Sequence, residues 1–325
     1  MTPVSSLRRR PARLAVILVA FASVAFVLIA MKQAAPTLVD LVVERPLELG
    51  ASLSLLLAAV LWSAVCWAYL VRQLDHTRVG NARLVAIFLT AWPARYVPGT
   101  LPYHMTRLLM AERHGLRRSA MAASSLYELI LAVGSATALG FVALALTIGN
   151  ETYGTGYVIA MAPLVLAPFV VQRRVLVPLS RRLLGLLGRP GIAPDHALGA
   201  GQGMTSMAMY IGVHVLNGLA FAVLVAVLVD NSPSPILLIG AYSVACAAGV
   251  AVPLIPGGLG VREAVLTGLL SNALSPETAL VAAGSIRAVS IVADLLPAAL
   301  VAILGRGRPD TASVHELALP SEPAA

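Results

Sequence analysis

Charge is what this chain has least of. Only 12% of its 325 residues are Asp, Glu, Lys or Arg, against about 25% in a soluble domain, which excludes a water-soluble globule. Lysine is nearly absent: Lys32 stands alone among 23 basic residues. The net charge of +8 is therefore carried by arginine and reads as membrane topology, with no nucleic-acid partner. Cys66 and Cys246 both fall inside apolar runs. They read as small core residues and exclude a disulfide framework or a thiolate metal site. Gly-x-Ser-x-Gly, His-Glu-x-x-His, P-loop and paired-cysteine patterns are missing, so no catalytic residue, metal or cofactor is assigned. The nearest approach, His315-Glu316, lies in the polar tail and has no second histidine four residues on.

What the chain has in quantity is apolar sequence, with 58% hydrophobic residues and a mean hydropathy of +0.86. The runs are continuous instead of alternating, which points to spanning helices and away from a barrel. Spans are predicted over 14–31, 49–71, 119–148, 155–171, 205–229 and 279–304, the fourth weakened by Pro163 and Pro168. The first follows Arg8, Arg9, Arg10 and Arg13. It is longer than the roughly 7–15-residue core of a signal peptide and reads as a retained span. The polar segment after it carries Lys32, Asp40, Glu44, Arg45 and Glu48. Arg173, Arg174, Arg181, Arg182 and Arg189, with leucines between them, read as a cytoplasmic interfacial helix. The tail from Arg306 is expected to be disordered.

Two apolar segments are interrupted. Residues 92–102 hold Pro93, Pro98, Pro102, Gly99 and Arg95, and 253–263 hold Pro253, Pro256, Gly257, Gly258, Gly260 and the neighbours Arg262 and Glu263. Proline removes a backbone donor and glycine relaxes the chain, so a helix breaks at each. Broken backbone is tolerated at membrane depth only where protein or a watery cavity satisfies it. Val97-Pro98-Gly99-Thr100-Leu101 also matches Ile255-Pro256-Gly257-Gly258-Leu259. A charge inside the following span comes 30 positions after Pro98, at Glu128, and 31 after Pro256, at Arg287.

If both segments dip in and return, the cytoplasmic side holds 19 of the 23 basic residues. The outer side then holds Lys32 and Arg45 against Asp40, Glu44, Glu48, Glu151, Asp230 and Glu277, a positive-inside pattern. The predicted fold is an all-α polytopic membrane protein. It has about six transmembrane helices and two re-entrant helical hairpins in an inverted repeat, with both termini cytoplasmic. The divisions are a basic N-terminus (1–13), a membrane domain (14–305, with repeats at about 47–148 and 204–304) and a tail (306–325).

A charge at the centre of a span costs about 2.5–3.5 kcal/mol on insertion scales, so each needs a reason. Glu128, Arg287 and Asp294 qualify, and Arg287 and Asp294 share a helix face, being seven apart. Glu128 and Arg287 either pair with each other or with freed hairpin backbone, or they serve a substrate. Arg262 and Glu263 form an interfacial pair or a site. Gly257, Gly258 and Gly260 would leave backbone donors free at a helix start, which suits a phosphate. Pro102 opens the return helix of the first hairpin, with His104 and Arg107 behind it. His214 and Asn217, three apart, read as an interhelical hydrogen-bond pair.

Arg95-Tyr-Val-Pro-Gly99, then Arg107, Glu128, the block Pro256-Gly-Gly-Leu-Gly-Val-Arg-Glu263 and Arg287 resemble the lysylphosphatidylglycerol synthase transmembrane family. This is the flippase-like membrane domain of multiple peptide resistance factors and their stand-alone relatives. The likeness runs from about Leu14 to Leu304, while Thr100, Pro102 and Asp294 depart from the pattern. It implies a lipid-handling membrane protein, in some members translocating anionic phospholipids, in others tied to polyprenyl-linked glycan pathways. With the chain ending at Ala325, the resemblance implies no aminoacyltransferase domain and no lysyl transfer.

The expected function is a plasma-membrane lipid transporter or flippase-like protein for an anionic phospholipid or polyprenyl-linked lipid. The candidate substrate-binding residues are Arg262, Arg287, Arg107, Glu128, Glu263, Asp294, Gly257, Gly258 and Gly260. Two other classes fit the same sequence. One is an intramembrane transferase acting on a lipid-linked substrate, with Asp40, Glu44 and Glu151 as its available acids. The other is a non-catalytic scaffold for a separate lipid-modifying synthase.

Overall fold

The computed structural model describes residues 28–97, 101–148, Arg182, 198–251 and 258–305. They form α1 (28–44), α2 (Pro46–Asp75), α3 (Asn81–Ala91), a 3-10 turn (Trp92–Tyr96), α4 (Leu101–Glu112), α5 (Arg118–Ile148), α6 (Ala200–Leu228), α7 (Pro235–Ala251), α8 (Val261–Leu270) and α9 (Pro276–Gly305). The protein is a polytopic all-α membrane protein. Four of the predicted spans are present as helices long and apolar enough to cross a bilayer, α2, α5, α6 and α9. The spans at 14–31 (beyond its last four residues) and 155–171, the tail, and the arginine-rich stretch apart from Arg182 lie outside the described residues.

Local chemistry sets the boundaries. α2 begins with Pro46 in its first turn, where a missing amide hydrogen costs nothing. It stops at His76, whose left-handed conformation lets its N–H donate to the Arg72 carbonyl at 3.1 Å. α4 ends at Glu112, and the turn after it closes at Gly115, also left-handed, whose N–H donates to the Glu112 carbonyl at 2.9 Å. The polar segment expected after the first span is helical as far as residue 44. The reason is its spacing: Ala30, Ala34 and Leu41 are buried on one face, while Lys32, Asp40 and Glu44 stay exposed on the other.

α2 and α6 run antiparallel. The Ser52 hydroxyl donates to Ala220 O at 2.9 Å, Trp62 Nε1 to Met209 O at 2.9 Å and Gln202 Nε2 to Gln73 Oε1 at 2.6 Å, so one number rises as the other falls. α5 and α7 are also antiparallel, and nearly touch backbone to backbone. A Cβ added at Gly240 would lie 2.9 Å from the Ala143 Cβ, and one at Gly140 would lie 3.1 Å from the Val244 nitrogen. Small residues allow this approach where no hydrophobic effect drives helices together.

In each interrupted segment the described legs pack against each other. Tyr103, on α4, packs its ring edge-on to Phe88 and Trp92 at 6.3 and 5.8 Å. On the second segment, Arg262 of α8 stacks on Tyr242 of α7, and Gly258 meets Gly249. Each has its own apolar core. Trp67, Leu70, Phe88, Tyr127 and Leu131 cluster around the first, and Leu56, Phe221, Tyr242, Leu266 and Ile286 around the second. α2 and α6 serve both cores with opposite ends. α9 contains Pro297, which has no amide hydrogen, so the Ala293 carbonyl lacks its usual helical donor.

Candidate functional site

Arg287 and Asp294 are tied to different broken segments. Asp294 accepts hydrogen bonds from Trp92 Nε1 at 2.8 Å and the Tyr96 hydroxyl at 2.5 Å, and Arg95 Nη1 lies 3.9 Å away. All three belong to the 3-10 turn that ends the first leg of its segment. Side chains three apart eclipse in such a turn, and the Arg95 guanidinium accordingly sits 4.2 Å from the Trp92 ring centre.

Arg287 Nε lies 3.6 Å from Glu263 Oε1, and its guanidinium is 5.5 Å from the Tyr96 ring centre. The other Glu263 oxygen accepts the Gly260 N–H at 2.7 Å. One carboxylate therefore caps α8 and holds α9. The Gly260 donor expected to be free is taken, and Gly257 lies outside the described residues. Gly258 and Gly260 have φ of +66° and +82°, a conformation that side chains with a Cβ resist.

Two pairings that the sequence leaves open are not made in this geometry. Glu128 does not meet Arg287. It pairs with Arg107 and accepts from the Tyr103 hydroxyl at 3.0 Å. Arg107 also donates to that hydroxyl at 2.8 Å and lies over the Trp67 and Tyr103 rings at 4.7 and 4.6 Å. Nor does Arg262 pair with its neighbour Glu263, which faces Arg287. Arg262 donates to the Tyr242 hydroxyl and stacks 4.3 Å from that ring's centre. Among the described residues, no carboxylate lies within ion-pair distance of Arg262.

These elements enclose a cavity of about 140 Å³, against the ~10–15 Å³ that one water needs. Arg95, Glu128, Arg262 and Asp294 give it charge, and Ser63, Tyr210, His214, Asn217 and Ser290 give it hydrogen-bonding groups. Most of the wall comes from near mid-length of α2, α6 and α9. Arg95 is matched by Asp294 and Glu128 by Arg107, which leaves Arg262 as the uncompensated charge among the described residues.

Of the predicted site residues, Arg262, Glu128 and Asp294 reach the cavity wall. Arg107, Arg287 and Glu263 stand behind it and fix the legs, while Gly258 packs on α7. Sequence reasoning missed the wall positions Arg95, Trp92 and Tyr210. Tyr210, His214 and Asn217 follow helical spacing on one face of α6, a signal that reaches one turn beyond the pair identified. His214 bonds across to the Ala132 carbonyl at 3.0 Å, whereas Asn217 bonds within its own helix to Val213 at 2.8 Å. Asp40 and Glu44 lie on the exposed face of α1, apart from the cavity. No group of three His, Cys, Asp or Glu residues suited to a metal occurs among the described residues.

The family model described as the lysylphosphatidylglycerol synthase TM region matches residues 11–298. The chain belongs to this family. The match takes in both broken segments and most of α9, so the whole cavity lies inside the family domain. Family membership makes this a membrane protein related to lipid handling. Comparison with curated proteins finds no match to the chain.

Proposed function

We propose that the protein moves an anionic lipid headgroup between leaflets through the cavity, with the acyl chains left in the bilayer. Arg262 carries this reading. Arg262 is half-buried, and intramembrane charges without a counter-charge mark ligand pathways. Arg262 lines the cavity and, among the described residues, has the Tyr242 hydroxyl as hydrogen-bond partner and no carboxylate within ion-pair distance. The ligand is a phospholipid or polyprenyl-linked lipid, in the plasma membrane, and a separate lipid-modifying synthase is the natural supplier.

The antiparallel pairing of α2 with α6, which open repeats 47–148 and 204–304, supports an inverted repeat. α4 and α8 have 12 and 10 residues, or about 18 and 15 Å, roughly half the ~30 Å hydrocarbon layer. That shortness favours re-entrant hairpins. The arginine distribution favours cytoplasmic termini. The test is leaflet-resolved movement of phosphatidylglycerol in reconstituted vesicles. Wild-type protein should accelerate it and Arg262→Gln should abolish it; wild-type rates in that variant would overturn the reading.

A further inference from the structure

We infer that the α6 wall of the cavity recognises a hydroxyl group, so that Tyr210 and His214 select a phosphate headgroup that carries a free hydroxyl. This rests on the reading above that the cavity takes an anionic lipid headgroup. Tyr210 and His214 are only 4% and 8% exposed, stand one turn apart, and both line the cavity. Among the described residues, the Tyr210 hydroxyl and His214 Nδ1 have no hydrogen-bond partner. Leaving a buried polar atom unpaired costs about 1–3 kcal/mol, and native proteins keep such atoms where something else satisfies them.

The protonation of His214 follows from its other nitrogen. Nε2 lies 3.0 Å from the Ala132 carbonyl. A carbonyl only accepts, so Nε2 holds the proton and Nδ1 of the neutral ring offers a lone pair. The wall thus presents one pure acceptor, Nδ1, and one group that both gives and takes, the Tyr210 hydroxyl. A ligand hydroxyl answers both, donating to His214 and accepting from Tyr210. An ammonium has no lone pair for the Tyr210 proton. It would also share the cavity with Arg262, while Glu128 and Asp294 are already occupied by Arg107 and Arg95. A phosphate oxygen brings no proton to Nδ1. Arg262 takes the phosphate and the α6 pair takes the hydroxyl beyond it.

Two lipids separate this idea from simple anion binding. Phosphatidylglycerol and phosphatidylmethanol are both singly charged phosphodiesters, and only the first has free hydroxyls. Native mass spectrometry of the full chain from vesicles holding both, with phosphatidylethanolamine as a third competitor, reads the retained lipid. Wild-type protein should retain phosphatidylglycerol about tenfold over phosphatidylmethanol, the size expected of one or two buried hydrogen bonds. Tyr210→Phe removes only an unpartnered hydroxyl, and should bring the ratio close to one. Equal retention by the wild type, an unchanged ratio in Tyr210→Phe, preference for phosphatidylethanolamine, or no retained lipid would each overturn the inference. Selective retention without leaflet movement would sink the transport reading and leave this one standing. Equal movement and equal retention of both anions would do the reverse.

Discussion

Arg95 and Arg262 line the same cavity, and among the described residues only Arg95 has a carboxylate within ion-pair distance. Asp294 also takes hydrogen bonds from Trp92 and Tyr96, so Arg95 belongs to a satisfied cluster, whereas Arg262 leans on the Tyr242 ring. Arg262→Gln should weaken phosphatidylglycerol retention about tenfold or more, the scale of a charge-assisted hydrogen bond. Arg262→Lys should recover only part of it, because an ammonium lacks the planar stack. Native mass spectrometry of both variants checks the order.

Asp294 anchors the 3-10 turn. Asp294→Asn removes the charge facing Arg95 and leaves one carbonyl oxygen where two carboxylate oxygens served Trp92 and Tyr96. The turn should loosen. Val97, immediately after it, is exposed, so a Val97→Cys probe should react faster with a maleimide in the Asp294→Asn background than in the parent.

Arg107 and Glu128 are a buried pair inside an aromatic enclosure. Removing one partner strands the other, at about 3–5 kcal/mol. Arg107→Met and Glu128→Gln should each lower the unfolding midpoint in detergent. The double variant should be less destabilised than the sum of the two, the signature of direct coupling. Loss of transport in Glu128→Ala would then report a damaged fold.

Gly258 has no room and no conformational latitude for a side chain. A Cβ there would lie 2.8 Å from the Gly249 Cα, on a residue whose φ is +66°. Gly258→Ala combines left-handed strain of about 1–2 kcal/mol with overpacking of about 1–3 kcal/mol. A clear drop in thermal stability is expected, whereas Gly268→Ala, with open space around the added methyl, should leave the midpoint unchanged or raised.

Sequence carried the architecture much further than the site. Helices α2, α5, α6 and α9 follow from uninterrupted apolar length, which the bilayer imposes on each segment separately. Pairing is different because it depends on which distant residues share a height in the bundle. Nothing local says that Glu263 faces Arg287 and ignores Arg262 beside it, or that Asp294 meets residues about two hundred positions earlier. The continuation of α1 through a charged stretch was legible in principle, since Ala30, Ala34 and Leu41 keep helical spacing. The polar residues between them mask that period, because Lys32, Asp40 and Glu44 interrupt the apolar run.

Pro297 gives α9 a cheap place to flex. Bending a helix ordinarily stretches or breaks a carbonyl-to-amide link, but the link from Ala293 is already missing. Asp294, which grips the opposite segment, lies within a turn of that joint, and Ala293 forms part of the cavity wall. The stretch beyond Pro297 can therefore bend with no further hydrogen bond lost, while Arg287 and Asp294, both on the near side of the joint, keep their partners.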